Sequence, residues 1–584
     1  MRAIVPLLLV TAVILAAGCD ATTPTPPATD PAPAETRPTP PPGPLEAFVK
    51  DKERLPGLFD VIVDRDAAKV WLELPAPDAD GLVTELLYVE GLAHGMGSNP
   101  VGLDRGKIGA TRVVEFQRIG RRLYVIQPNL SFRATSDDAD ERRAVEQAFA
   151  RSVLWTGPVV AEAEDGRFLV DFTGFVVRDA HGVVSTLRDT KQGDFTLDAK
   201  RSTLDPRAVL AFPDNLEFEA LLTFTSKKPG PEVRRVAPTP DAVTLVQHHS
   251  LVRLPDDGYT PRAFDPRSGA LWIQHADYAA PLDEPIDRRW IVRHRLEKQD
   301  PTAERSAPVE PIVYYVDRGA PEPVRSALIE GALWWNEAFE AAGYVDAFRV
   351  ELLPEDAHPL DVRYNVIQWV HRQTRGWSYG GGVVDPRTGE RIKGHVSLGS
   401  LRVRQDRRIF EGLLGAAKTG TGAPDDPIEL SLARIRQLSA HEVGHTIGFA
   451  HNFTASTWGG RASVMDYPAP LVRVGDDETL DVSAAYGVGI GAWDRTTVQY
   501  SYSDFPPGTD EQEALDAILR ESAARSEEFV SDVDARPVGG AHPTAHLWDN
   551  ERDAAAALRE ALAVREIALG NFGADNLAAG EPFG

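Results

Sequence analysis

The chain has 584 residues, enough for several domains at about 150 residues each. Its 62 Lys+Arg against 87 Asp+Glu leave a net charge of −25, and 42% of residues are hydrophobic and 26% charged. This is globular composition, which excludes a collagen-like, coiled-coil or mostly disordered chain. No strong basic patch stands out, so nucleic acid is not an expected partner. The single cysteine, Cys19, excludes an internal disulfide and a cysteine-ligated zinc site.

The N-terminus reads as a targeting segment. Arg2 precedes an apolar run over 3–17 that is shorter than a membrane-spanning helix requires. The run ends in Leu15-Ala16-Ala17-Gly18-Cys19. Small residues before a cysteine resemble the bacterial lipobox. The resemblance implies that 1–19 are a lipoprotein signal peptide and that Cys19 is lipidated. The protein is then expected to be exported and held to a membrane on the periplasmic or cell-surface side. Residues 20–44 are rich in Pro, Thr and Ala, which favours extended polyproline II structure and suits a tether.

Residues 45–305 read as β-rich. Short runs such as 59–63, 69–74, 122–126, 168–172 and 216–220 lie between turn signals, and a helix is expected near 139–153. This pattern predicts a sandwich or a set of twisted sheets. Gly95-Met96-Gly97-Ser98-Asn99-Pro100 lacks a phosphate-loop pattern and reads as a tight turn. His248 and His249 are adjacent, so on a strand they point to opposite faces and make a poor chelate.

From about 306 the texture changes. Strands are expected at 311–316, 347–353 and 364–370. A helix is expected from Pro321 to about Ala342, with Val324, Leu328, Trp335 and Phe339 on its apolar face and Gly343 ending it. A hairpin-like unit follows, 380–384 and 391–398, which would make the sheet mixed. Residues 506–584 read as a helical C-terminal segment, with helices over 511–530 and 552–569.

Residues 441–451 read HEVGHTIGFAH. They follow a stretch with helical periodicity through Ile428, Leu432, Ile435 and Leu438. On a helix, His441 and His445 lie one turn apart on one face. Glu442 is placed to deprotonate a metal-bound water. Gly448 can take positive φ and turn the chain, so that His451 returns as a third ligand. Three imidazoles and an open position make a catalytic zinc site. With 14 His in the chain, this pattern including its acidic residue and glycine arises by chance about 0.0001 times per chain of this composition.

These residues resemble the metzincin clan of zinc metallopeptidases, whose signature is HExxHxxGxxH followed by a tight turn containing methionine. Ser463-Val464-Met465-Asp466-Tyr467-Pro468 supplies that turn. The resemblance implies that Met465 forms the hydrophobic floor beneath the ligands. It also implies that Tyr467, two residues on, binds zinc at rest and stabilises the oxyanion, as in the astacin-like and serralysin-like branches. Val101–Gly106, Gly394–Ser400 and His451-Asn452-Phe453 are further similar to bacterial envelope proteins described as zinc-dependent metalloproteases. Those carry a metzincin domain behind a large β-rich region. Asn452 departs from the residue usual after the third histidine, so substrate preferences are not carried over.

The resulting expectation is an α+β chain. A metzincin-like domain over 306–505, with a mixed twisted sheet, active-site helix and methionine turn, sits behind the β-rich region. Its activity would be zinc-dependent endopeptidase cleavage of protein or peptide in the cell envelope, with Glu442 as general base. An extended peptide would align on an exposed edge strand, for which 391–398 is the candidate. His395 in that strand is assigned a rim or structural role, and Asp466 nothing catalytic. Two other readings compete: a zinc amidase acting on cell-wall peptides, and a non-catalytic envelope scaffold that retains its zinc.

Overall fold

A computed structural model describes residues 43–537 and 542–577, with Gly580 and Pro582. The leader, Cys19 and nearly all of the tether lie outside the described residues. Among the described residues, no helix is long and apolar enough to cross a membrane.

The alternating runs of the first half form one continuous ladder rather than separate sheets. Fourteen strands join, and all neighbours are antiparallel except for the short Gly43–Pro44 strand. The longest strands form its middle. Leu82–His94 pairs with Ile108–Ile119 on one side and with Ala242–Arg253 on the other, and the latter pairs with Asn215–Thr225. Val61, Val70, Leu123 and Phe218, from well-separated strands, share one apolar core with Phe172 and Phe175. The sheet therefore curls so that its own face encloses that core. The helix Ala139–Ala148 is capped by Asp138 and stops short of the expected 153. Ser152–Glu162, rich in β-branched residues and containing Pro158, enters the ladder instead. A three-stranded sheet of Trp272–Asp277, Asp287–Ile291 and Phe132–Arg133 lies outside the ladder.

The second half holds a five-stranded sheet. Its order is Phe348–Leu352, Ile312–Val316, Asn365–Val370, Arg391–Gly399, Tyr379–Val384. The first four strands run parallel and Tyr379–Val384 runs antiparallel. This corrects the expected edge. Arg391–Gly399 is interior, between Asn365–Val370 and Tyr379–Val384, and the latter is the end strand. Residues 391–399 are buried at every position but Ile392, as an interior strand requires, whereas Tyr379-Gly380-Gly381-Gly382 has little side chain to bury.

The expected helix 321–342 is two helices, Val324–Leu333 and Trp335–Ala341. It starts at Val324, after Pro323, which disfavours helical backbone at the preceding Glu322. Val324, Leu328, Trp335 and Phe339 are all buried, and Gly343 ends the second helix at φ +85°. The helix Pro427–Thr446 packs across this pair. Asp426 caps it by accepting from the Ile428 amide at 2.9 Å. Trp335 Nε1 donates to the Ala440 carbonyl at 2.7 Å, and Ser439 Oγ to the Leu328 carbonyl at 2.7 Å. The C-terminal part is helical: Ala492–Tyr502, Glu511–Ala524, Asp532–Ala535 and Ala554–Asn571.

Segments before 306 pack directly on this second half. The Arg262 guanidinium donates to the Tyr500 and Ser503 carbonyls and to Glu511. Tyr502 Oη accepts from the His294 amide at 3.1 Å and donates to the Ile447 carbonyl at 2.7 Å.

Candidate metal centre

The helix Pro427–Thr446 carries His441, Glu442 and His445 in its last turns. The chain then reverses at Gly448, which has φ +109°. A Cβ there would lie 2.0 Å from the Val292 carbonyl, so the turn needs glycine on both conformational and steric grounds. The Gly448 carbonyl accepts from the Leu271 amide at 2.7 Å, and the Ala450 amide donates to the Gly269 carbonyl at 2.9 Å. The reversal brings His451 back beside His445.

The three imidazoles converge. His441 and His445 ring centroids are 4.9 Å apart, and those of His445 and His451 are 4.6 Å apart. Each Nδ1 faces an acceptor. His441 Nδ1 donates to the Val464 carbonyl at 2.8 Å and His445 Nδ1 to the Phe449 carbonyl at 2.8 Å. His451 Nδ1 lies 2.6 Å from a carboxylate oxygen of Asp532. A carbonyl cannot donate, so these acceptors assign the proton to Nδ1 and leave each Nε2 a lone pair. His441 Nε2 is buried without a partner. The Nε2 atoms of His445 and His451 face each other at 3.1 Å. One ligand atom from each of the three residues lies within 4.8 Å of the others. Lone pairs gathered in this way repel one another unless a cation lies between them. The donor set therefore fits zinc.

Glu442 is buried at 4% exposure. Burial pushes its carboxyl up to about 8, against the pull of the Arg434 and Arg402 guanidiniums. A bound cation would pull in the same direction as those guanidiniums. Met465 is fully buried in the apolar core that Trp335, Phe339 and Ile435 also build. Its sulfur lies 2.2 Å from where a Cβ on Gly444 would stand, so the methionine turn fits against the helix only because residue 444 has no side chain. Asp494 anchors that turn. It accepts from Ser463 Oγ at 2.6 Å, the Val464 amide at 2.9 Å and the Gly491 amide at 2.7 Å.

The Tyr467 ring lies 5.0 Å from His441 and 4.5 Å from His451, and Trp548 stacks on it at 5.3 Å. Burial pushes its phenol up to about 12, so it stays a hydrogen-bond donor. Asp466 caps locally, accepting from the Ser456 and Tyr467 amides.

The end strand Tyr379–Val384 runs beside the active-site helix. A Cβ on Gly380 would stand 2.4 Å from the Glu442 carbonyl and 3.0 Å from His445 Cβ. His395 points away from the metal centre. It is buried, with Nε2 3.0 Å from Gln368 Oε1.

His248 and His249 do point to opposite faces. His249 meets the Tyr88 hydroxyl at 2.9 Å. His248 joins Glu217 at 2.7 Å and Glu219 at 3.1 Å, with His358 beside them. Glu219, His248 and His358 also lie within metal-binding distance. Here, however, both His248 nitrogens already meet carboxylates, and the Leu360 amide donates to His358 Nδ1. The cluster is satisfied as an ion pair network without a metal.

Asp532, Trp548 and Asp494 were missed in the sequence. Asp532 and Trp548 lie 81 and 97 residues beyond His451 and belong to no local pattern, whereas Asp494 sits three residues after Gly491 at the start of a helix. For Asp532 the signal was the acidic, helical character of residues after 506.

Residues 423–584 match the family model described as Met-zincin. Residues 106–299 match one described as a domain of unknown function (DUF5117). No curated protein matches the chain. The chain carries a metzincin-type domain at residues 423–584, the domain type of zinc metallopeptidases, in which His441, His445 and His451 can hold the metal.

Proposed function

We propose that the protein is an endopeptidase that hydrolyses peptide bonds in extended protein segments of the cell envelope, with Glu442 as general base. The observation that carries this reading is the convergence of three Nε2 lone pairs beside the buried Glu442 and Tyr467. Held by His441, His445 and His451, zinc would supply a Lewis acid and a water acidic enough to be deprotonated near neutral pH. The Glu442 carboxylate takes the proton of the attacking water and returns it to the leaving amine. The Tyr467 hydroxyl donates a hydrogen bond to the oxygen that becomes negative as the carbonyl is attacked. An extended substrate lies along the end strand Tyr379–Val384, which has a strand partner on one side only. A lipid on Cys19 would hold this site at a membrane surface.

The test is cleavage of an unstructured protein such as casein by the chain from residue 20 onward. Wild type is compared with Glu442→Ala, with and without a chelator. Cleavage is expected to need both zinc and Glu442, while the variant keeps its zinc. Zinc loss in parallel with activity would overturn the role of Glu442. Absence of cleavage by the zinc-loaded wild type would count against the peptidase reading.

A further inference from the structure

The segment before the end strand is gripped by a loop of the β-rich region. Asp104 and Arg372 are both nearly inaccessible, with side chains 2% and 1% exposed. Arg372 Nε and Nη2 donate to one oxygen of Asp104 at 3.0 and 2.9 Å, and the Tyr379 hydroxyl donates to the same oxygen at 3.1 Å. Arg372 Nη1 also donates to the Trp377 carbonyl at 3.0 Å. Lys107 Nζ sits over the Tyr379 ring at 4.5 Å. The Gln373 amide donates to the Gly97 carbonyl at 2.8 Å. Arg105 pairs with Asp317 at 2.8 Å and donates to the Trp369 carbonyl at 3.2 Å. Loop 95–107 therefore fixes the chain on both sides of the bend that leads into Tyr379–Val384. One residue beyond Tyr379, Gly380 lies against Glu442 and His445.

We propose that Asp104 is a positioning residue for an extended peptide substrate: through Arg372 and Tyr379 it sets the end strand Tyr379–Val384 at its place beside the metal centre, so that the β-rich region forms part of the peptide-binding cleft. This rests on the peptidase reading above. A buried carboxylate with three charged or hydroxyl donors on one oxygen is a directional anchor in a site without competing water. The end strand has a ladder partner on one side only, and its three successive glycines leave it little side-chain packing of its own. Displacement of such a strand weakens the main-chain hydrogen bonds that hold an added peptide strand.

The test uses the zinc-loaded chain with Asp104→Asn and Tyr379→Phe, the second removing a single hydroxyl and keeping the buried ion pair. Amide hydrogen exchange over 379–384 is expected to speed up by about tenfold or more in Asp104→Asn and by less in Tyr379→Phe. For a peptide of about eight residues, KM should rise about tenfold in Asp104→Asn, with kcat changed by less than about threefold. Zinc content should be unchanged. Wild-type exchange and wild-type KM in both variants would overturn the proposal, as would a fall in kcat with KM unchanged. If wild type cleaves no peptide, the peptidase reading fails, while the exchange rates alone still decide whether Asp104 holds the strand.

Discussion

Asp532 is the residue whose removal most directly tests how the metal centre is built. Its carboxylate lies 2.6 Å from His451 Nδ1. Its other oxygen faces Arg536 at 3.2 Å. Burial opposes its charge, but the hydrogen bond to His451 holds its carboxyl below the usual range. A carboxylate on the far nitrogen of a ligating histidine fixes the tautomer, aims the ring and raises the basicity of Nε2. Removing such a partner typically weakens metal binding about 10–100-fold, or about 1.4–2.8 kcal/mol. The Asp532 side chain is 43% exposed, so water can replace the lost acceptor after truncation. This places Asp532→Ala at the lower end, about tenfold weaker zinc binding, with Asp532→Asn weaker by less because its amide oxygen still accepts. Competition with a chromophoric zinc chelator at pH 7 measures this without relying on activity. Wild-type zinc affinity in Asp532→Ala would refute the reasoning, and would mean that the His451 ring is aimed by packing against Phe453, 5.0 Å away.

Three other outcomes follow from the geometry. Gly380→Ala places a Cβ 2.4 Å from the Glu442 carbonyl and 3.0 Å from Thr446 Cγ2, so strand or helix must yield, at about 1–3 kcal/mol of stability. Its kcat/KM on peptides should fall by about two orders of magnitude, and a fall of less than threefold would show that the strand is not in the cleft. Asp494→Ala leaves the Ser463 hydroxyl and the Val464 and Gly491 amides without their acceptor, at an expected cost of about 2–4 kcal/mol read from thermal melting. An unchanged midpoint would remove Asp494 as the anchor of that turn. His248 supplies the pH dependence. Burial opposes its charge, yet hydrogen bonds to Glu217 and then Glu219 raise it to about 9. A histidine raised in the folded state adds stability that is fully present below its unfolded value of about 6.5 and is lost as pH rises through about 9, on the order of 3 kcal/mol in all. The melting temperature of wild type should therefore fall more steeply than that of His248→Gln between pH 6.5 and 9.5, and parallel slopes would show that the pair contributes nothing.

The chemistry of the metal centre was legible in the sequence because it is local. His441, Glu442 and His445 share a helical turn, Gly448 supplies the reversal, and His451 and Met465 follow within a few turns of chain. Spacing along a helix and the need for glycine at positive φ are properties of consecutive residues. Elements with strong periodicity were legible for the same reason: Val324, Leu328, Trp335 and Phe339 form one buried face. What the sequence could not decide were choices between partners. Residues 379–384 and 391–399 form a hairpin in either sheet order, and only docking against Asn365–Val370 makes the second strand interior. The carboxylate on His451 comes from 81 residues downstream, and the one on Arg372 from 268 residues upstream. Pairings across such distances leave no periodic trace, because they are selected by the packing of the whole fold rather than by the geometry of the backbone between them.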